Sequence, residues 1–175
     1  MTKEQENFLK LVAGPALTAE RRLEVPAAVI IAQAILESGW GKSRLFTEAH
    51  NPFGIKNLDL PDDYGEYQAP TTEYVHGKPV TVVAEFERFE NLDRAFFHHA
   101  LLFWRAKRYW PVMKLRAKPL EFARGIGPAG YCTDPHYADK LLQLIRDYRL
   151  DDRDRLGDLA SGGAPVPMGV EGTDL

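Results

Sequence analysis

The chain holds one cysteine, Cys132, in 175 residues. A lone thiol forms no intrachain disulfide, so no cross-linked framework is expected to hold the fold, and Cys132 reads as a small packing residue. With no second cysteine and no ligand-spaced run of histidines, nothing reads as a metal set, and no metal or cofactor is expected. Long apolar runs are missing too. Residues 25–36 are apolar, but Gln33 interrupts them and they are too short to cross a bilayer, so no membrane insertion is expected. Residues 1–7 (MTKEQEN) are charged and lack the apolar core of a signal peptide, so the chain shows no export signal of its own. An excess of positive charge is also absent. The net charge of −3 argues against a surface that finds nucleic acid by charge.

What is present fits one soluble globular domain. Hydrophobic residues make up 45% and charged residues 27%, enough to build a core and a solvated surface at this length. The chain is expected to act as a monomer. Near residue 151 the character changes: the charge run Asp151-Asp152-Arg153-Asp154-Arg155 is followed by Ser161-Gly162-Gly163-Ala164-Pro165. The expectation is a domain over residues 1–154 and a loosely packed or disordered Gly/Pro-rich tail over 155–175.

Phe8, Leu11, Val12 and Ala16 recur at helical spacing and predict a first helix over residues 4–20, with Pro15 as a place for a kink. Pro26 is placed as the first residue of a second helix that is apolar nearly all round and therefore central. Residues 41–46 read as a short helical turn and 57–70 as a loop. Residues 71–75 and 80–86 are rich in β-branched and aromatic residues and predict a hairpin, with 76–79 between the strands. Asn91 caps the next helix, whose face carries Ala95, Phe96, His99, Leu102, Phe103 and Ala106. The pair His98-His99 reads as structural. Pro119 opens a short helix ending at Gly127. Asp134 is read as an N-cap with Pro135 at the first position of a last helix, buried through Tyr137, Leu141, Leu144, Ile145 and Tyr148.

The second helix ends in Leu36-Glu37-Ser38-Gly39-Trp40-Gly41. A carboxyl between large apolar groups, partly removed from water, resists ionisation, so its pKa should rise. An acid that keeps its proton near neutral pH can protonate a leaving oxygen. The plainer alternative is an exposed glutamate at a helix end.

Four motifs decide between these. Residues 34–43 (AILESGWGKS), 51–56 (NPFGIK), 72–74 (TEY) and 130–141 (GYCTDPHYADKL) resemble, in order and spacing, the peptidoglycan N-acetylglucosaminidases of glycoside hydrolase family 73. That family includes the muramidase-like domain of the flagellar rod-cap protein and many bacterial and phage autolysins. The resemblance covers residues 25–150. It implies a lysozyme-like α+β fold, mainly α, with a helical lobe and a small β-hairpin lobe flanking a cleft. It departs from the family's Asn-Asn-Leu-Phe-Gly-Ile-Lys at His50 and Pro52, and from the family's alanine at Cys132.

By this resemblance Glu37 is the general acid, Glu73 the second carboxylate and Tyr131 the tyrosine lining the cleft. Glu73 either activates water or positions the sugar's N-acetyl group, unless it is an outward-facing strand residue. Tyr131 either holds the acetamido group, braces Glu37 through its hydroxyl, or packs in the core. Trp40, Asn51, Phe53, Tyr74 and Asp134 are the substrate-binding candidates. Tyr64 and Tyr67 share the sugar-stacking reading, with core packing as the alternative for every aromatic. Trp104, Tyr109 and Trp110 rank lower because no motif points to them. The implied substrate is peptidoglycan, cleaved between N-acetylglucosamine and N-acetylmuramic acid in the periplasm or cell wall. Export would then need a holin, a virion, specialised secretion or a leader removed earlier. A muramidase or lytic transglycosylase on the same scaffold, and a non-catalytic glycan-binding module, are the competing readings.

Overall fold

The computed structural model describes residues 1–56, 65–75 and 78–162, without the side chains of residues 72–75. Helix α1 spans Lys3–Leu23 and starts at a capping box in which Thr2 and Gln5 satisfy each other's backbone N–H groups. It runs through Pro15 as one element and buries Phe8, Leu9, Val12, Ala13, Ala16 and Ala19. Helix α2, Ala27–Ser38, is the centre of the molecule: ten of its twelve residues are buried. Pro26 is its cap, one position earlier than expected. The ψ of 122° at Pro26 is not helical, and its carbonyl accepts the first bonds, from Val29 and Ile30.

Helix α3, Arg44–Ala49, follows, capped by Ser43. Strands β1 (Glu66–Val75) and β2 (Lys78–Glu87) form one antiparallel pair, in register from Glu66 opposite Glu87 to Val75 opposite Lys78. Both strands exceed their predicted limits. Residues 66–70 were expected as loop, and Lys78 and Pro79 as turn. Backbone pairing carried the ladder past the β-branched residues that signalled it. Among the described side chains the hairpin is buried at its root: in β2, Phe86 and Glu87 are buried while residues 78–81 are exposed.

Helix α4 (Leu92–Arg105, capped by Asn91) leads through a 3-10 turn, Lys107–Tyr109, into α5 (Trp110–Met113), α6 (Pro119–Ile126) and α7 (Tyr137–Asp147). Helix α7 begins later than expected. Asp134 and Pro135 stay outside it, and His136 holds the cap position. The Asp134 carboxylate still accepts from the His136 N–H at 2.9 Å, a local turn two residues on, and from Lys140 Nζ at 2.6 Å.

The expected loose tail is corrected over its first part. Residues 153–162 form helix α8, which packs on α1 and buries Leu156 and Leu159. Two leucines three positions apart give it an apolar edge that the surrounding charge run obscured. Residues 163–175 lie outside the described residues. Around α2 pack α1, α4, α6 and α7, so the helical lobe is built on that single apolar helix. No helix among the described residues is long and apolar enough to cross a membrane.

Candidate active site

The site begins with how α2 ends. Gly39, Trp40 and Gly41 all take positive φ, at 56°, 62° and 75°. The Trp40 N–H reaches back to the Ile35 carbonyl at 3.1 Å. The Ser38 hydroxyl, itself bonded to the Ala34 carbonyl at 2.6 Å, accepts the Gly41 N–H at 2.8 Å. Gly41 also faces the Phe8 ring so closely that a Cβ there would sit 2.8 Å from Cδ2. Trp40 packs edge-on to Phe8 at 5.8 Å and to Tyr148 at 4.7 Å. This locked reversal fixes Glu37 on the last helical turn.

Glu37 is an exposed residue, yet its surroundings strip enough water from the carboxyl to raise its pKa. Burial is the larger influence. A hydrogen bond from Tyr137 Oη to Glu37 Oε1, 2.9 Å long, favours the charged form and opposes it. Tyr137 comes from the first residue of α7. Its oxygen is approached by Gln33 Nε2 at 3.3 Å, and Gln33 Oε1 lies 3.0 Å from His99 Nε2. Gln33 and His99 are buried, at 0% and 1% exposure, and burial pushes the His99 pKa down to about 3.

Sequence reasoning missed Tyr137 as a site residue and used it only to mark a buried helix face. Among the described residues it is Tyr137, not Tyr131, whose hydroxyl bonds Glu37. Tyr131 stacks on Tyr137 at 5.3 Å and stays half-buried. Its hydroxyl is enclosed and close enough to Glu37 for the two charges to interact; burial first, then Glu37, raises its pKa far above the usual tyrosine value.

The other candidates divide. Phe53 is buried, stacked on His99 at 3.8 Å and 6°, so it supports the site from behind and offers no face to a sugar. Asn51 is also buried. Its amide N–H groups go to the Ile55 and Glu87 carbonyls at 2.8 Å each, and its Oδ1 accepts the Ile55 N–H at 3.0 Å. The Asn51 side chain therefore fastens the loop to the root of β2 and is spent. Tyr67 is buried and donates to Glu48 Oε2 at 2.7 Å under the Arg88 guanidinium, tying β1 to α3. Tyr109 is core. Trp104 and Trp110 are exposed, with indole N–H groups bonded to the carbonyls of Leu23 and Trp104.

The backbone of Glu73 pairs opposite Val80 and that of Tyr74 opposite Pro79; their side chains, and all of Tyr64, lie outside the described residues. Cys132 is half-buried against the core beside Tyr131. Among the described residues no group of three His, Cys, Asp or Glu is placed to hold a metal ion. A hollow of about 480 Å³ among α1, α4 and α8 does not include Glu37, so chemistry and not cavity size marks the site.

Comparison with known proteins gives the family and the fold. A family profile described as mannosyl-glycoprotein endo-beta-N-acetylglucosaminidase matches residues 13–150. The exo-glucosaminidase LytG of Bacillus subtilis is 34% identical over 163 residues, covering 87% of this chain and 55% of that protein. The peptidoglycan hydrolase FlgJ of Pseudomonas aeruginosa is 32% identical over 173 residues, covering 97% and 42%. The chain thus spans about half the length of the curated relatives it matches. The catalytic domain of the autolysin Auto from Listeria monocytogenes superposes with a TM-score of 0.77 at 26% identity, covering 88% of this chain and 89% of that one. A glycoside hydrolase domain of FlgJ from Salmonella typhimurium gives 0.69 at 32% identity, covering 83% and 97%. The chain belongs to the glucosaminidase family, glycoside hydrolase family 73, and has its lysozyme-like fold.

Proposed function

We propose that this member of the glucosaminidase family hydrolyses peptidoglycan at the β-1,4 bond between N-acetylglucosamine and N-acetylmuramic acid, with Glu37 as the general acid. The observation that carries the reading is the Glu37 carboxyl itself. It sits at the end of a buried helix, exposed to solvent, with a pKa that partial desolvation raises. Glycosidic cleavage needs such a group, because the leaving oxygen departs only once protonated. The named activities of LytG and FlgJ support the substrate class.

Glu73 is the second carboxylate in this reading. Its backbone lies on β1 opposite Val80, and in this reading it meets the anomeric carbon from the hairpin lobe. It then activates water or orients the substrate's acetamido group. Tyr131, beside Glu37 and stacked on Tyr137, lines the same cleft. Trp40, half-buried against Phe8 and Tyr148, is the sugar-contact candidate in this reading. Action on this polymer places the working enzyme in the periplasm or cell wall.

The test is digestion of purified peptidoglycan by the wild type and Glu37→Gln, followed by reduction and mass spectrometry of the new sugar ends. Reducing N-acetylglucosamine ends, absent with Glu37→Gln, are expected. Reducing muramic acid ends would move the assignment to a muramidase, a reading favoured by one 30% identical relative named a probable N-acetylmuramidase of Lactococcus lactis. Anhydromuramic ends would indicate a transglycosylase. No new ends would leave a binding module.

A further inference from the structure

The bonds behind Glu37 run in one direction. Burial keeps His99 neutral, so its ring carries a single N–H. Its Nε2 lies 3.0 Å from Gln33 Oε1, an atom that only accepts, so this setting of the Gln33 amide requires the ring proton on Nε2. The Gln33 amide is thereby held with its NH₂ toward Tyr137 Oη. The tyrosine oxygen is occupied as an acceptor, and its one proton goes to Glu37 Oε1.

The opposite setting is chemically distinct. With His99 protonated on Nδ1, the amide would turn over and Gln33 Oε1 would draw the Tyr137 proton away. Glu37 would then face a lone pair instead of a donor. The tautomer of a buried histidine three residues removed along the chain of bonds therefore decides what the carboxyl meets.

We propose that Tyr137, Gln33 and His99 are positioning residues for Glu37: a directed hydrogen-bond chain that supplies one donor to Oε1 and so leaves Oε2 to carry and deliver the catalytic proton. The carbonyl oxygen of a carboxylic acid is its better acceptor, so a fixed donor at Oε1 favours the proton on Oε2. The proposal rests on reading Glu37 as the general acid.

The surroundings hold the chain in this state. His99 is clamped by Phe53 stacked at 3.8 Å, by the edge of Phe103 at 5.6 Å and by Tyr131 at 6.0 Å. These aromatic walls leave Gln33 as the described polar partner of Nε2. Around Glu37, α7 contributes Tyr137 and the segment before it contributes Tyr131. Among the described residues no charged side chain of α1, α4 or α6 contributes to its shift. The donor from Tyr137 is thus the main influence opposing desolvation, and its loss has a defined sign.

The experiment is kcat against pH on a soluble glycan substrate for the wild type, Tyr137→Phe, His99→Phe and His99→Gln. A general acid fails as pH rises through its pKa, so the basic limb reports Glu37 in the bound complex. Tyr137→Phe removes a bond that favours the carboxylate while desolvation remains. The limb is expected to move to higher pH by about half a unit or more. kcat is expected to fall roughly 10- to 100-fold, with KM nearly unchanged. His99→Phe is expected to move the limb the same way. His99→Gln, which keeps a donor near the Nε2 position, is expected to return it. A merely structural role predicts lower melting temperatures with the limb in place. A limb moved by less than about 0.3 unit in both Tyr137→Phe and His99→Phe overturns the proposal.

Nitrogen NMR of the wild type gives a measurement that needs no variant. An Nε2-protonated His99 at neutral pH is expected; an Nδ1 tautomer or a charged ring overturns the proposal. If the wild type cleaves no glycan, the function above fails. The chain is then still tested by that tautomer and by the titration of Glu37 in wild type against Tyr137→Phe.

Discussion

At the scale of the residue, folding moves two pKa values in opposite directions, in each case against the charged form. Glu37 is raised by desolvation, so its ionisation above the ordinary value of 4.5 opposes the folded state. Glu37→Gln removes that opposition while its amide oxygen still accepts from Tyr137. The variant is expected to lose at least about 100-fold in kcat and yet to melt at a higher temperature than the wild type at pH 7. The gain should vanish below the ordinary glutamate pKa, and melting curves at pH 7 and pH 4 check it. His99 is depressed from 6.5 to about 3. Its contribution to stability is complete above pH 6.5 and is lost as pH falls toward 3, because the unfolded chain takes up a proton that the native chain refuses. His98, lowered mainly by burial, adds to the same window. His99→Phe is therefore expected to flatten, not abolish, the fall in melting temperature between pH 6.5 and 5. Glu37 was singled out in the sequence by the four motifs together, because a carboxyl between Leu36 and Trp40 at a glycine-stopped helix end reads equally well as an exposed helix-end residue. Tyr137 was not. A tyrosine on a buried helix face gives the same pattern whether or not its hydroxyl reaches a carboxylate one hundred positions away.

At the scale of the element, the glycines and asparagine of the motifs act through backbone geometry. Gly41 combines a φ of 75° with a Phe8 ring where a Cβ would lie. Gly41→Ala is expected to cost about 1–3 kcal/mol in denaturant unfolding, through strain at positive φ and displacement of the ring. It should also lower kcat, because the same turn holds Glu37. Asn51→Ala would strand the Ile55 N–H and take one bond each from the carbonyls of Ile55, which keeps the Glu87 N–H, and of Glu87, costing about 1–3 kcal/mol. The same chemical denaturation measurement checks it. Asn51 and Phe53 were substrate-binding candidates in the sequence, Phe53 with core packing as its alternative, and both are buried, because position in a motif does not say which way a side chain faces. The helices were legible from periodicity, and the hairpin from its β-branched residues. The strand ends were not, since residues 66–70 include glutamine, alanine and proline and are held by ladder pairing with β2.

At the scale of the whole molecule, α2 is the axis on which both the core and the chemistry depend. Its apolar surface gathers α1, α4, α6 and α7, and its last turn presents Glu37. Helix α8 closes the far side of α1, and Leu156, 2% exposed, is its anchor. Leu156→Ala is expected to cost about 2–4 kcal/mol in unfolding free energy while leaving the basic limb of the pH profile in place. That separates global stability from tuning of the site. The two-lobed plan was legible because one apolar helix, one β-rich stretch and several amphipathic segments leave few ways to assemble. The docking of α8 was hidden by the charges around it. Both the chemistry and the hydrogen-bond chain depend on the fold raising the pKa of the Glu37 carboxyl. Carbon-13 NMR titration of that carboxyl in the wild type measures it directly, with Glu37→Gln identifying the signal. A midpoint clearly above 4.5 is predicted; a midpoint at or below it would contradict the account.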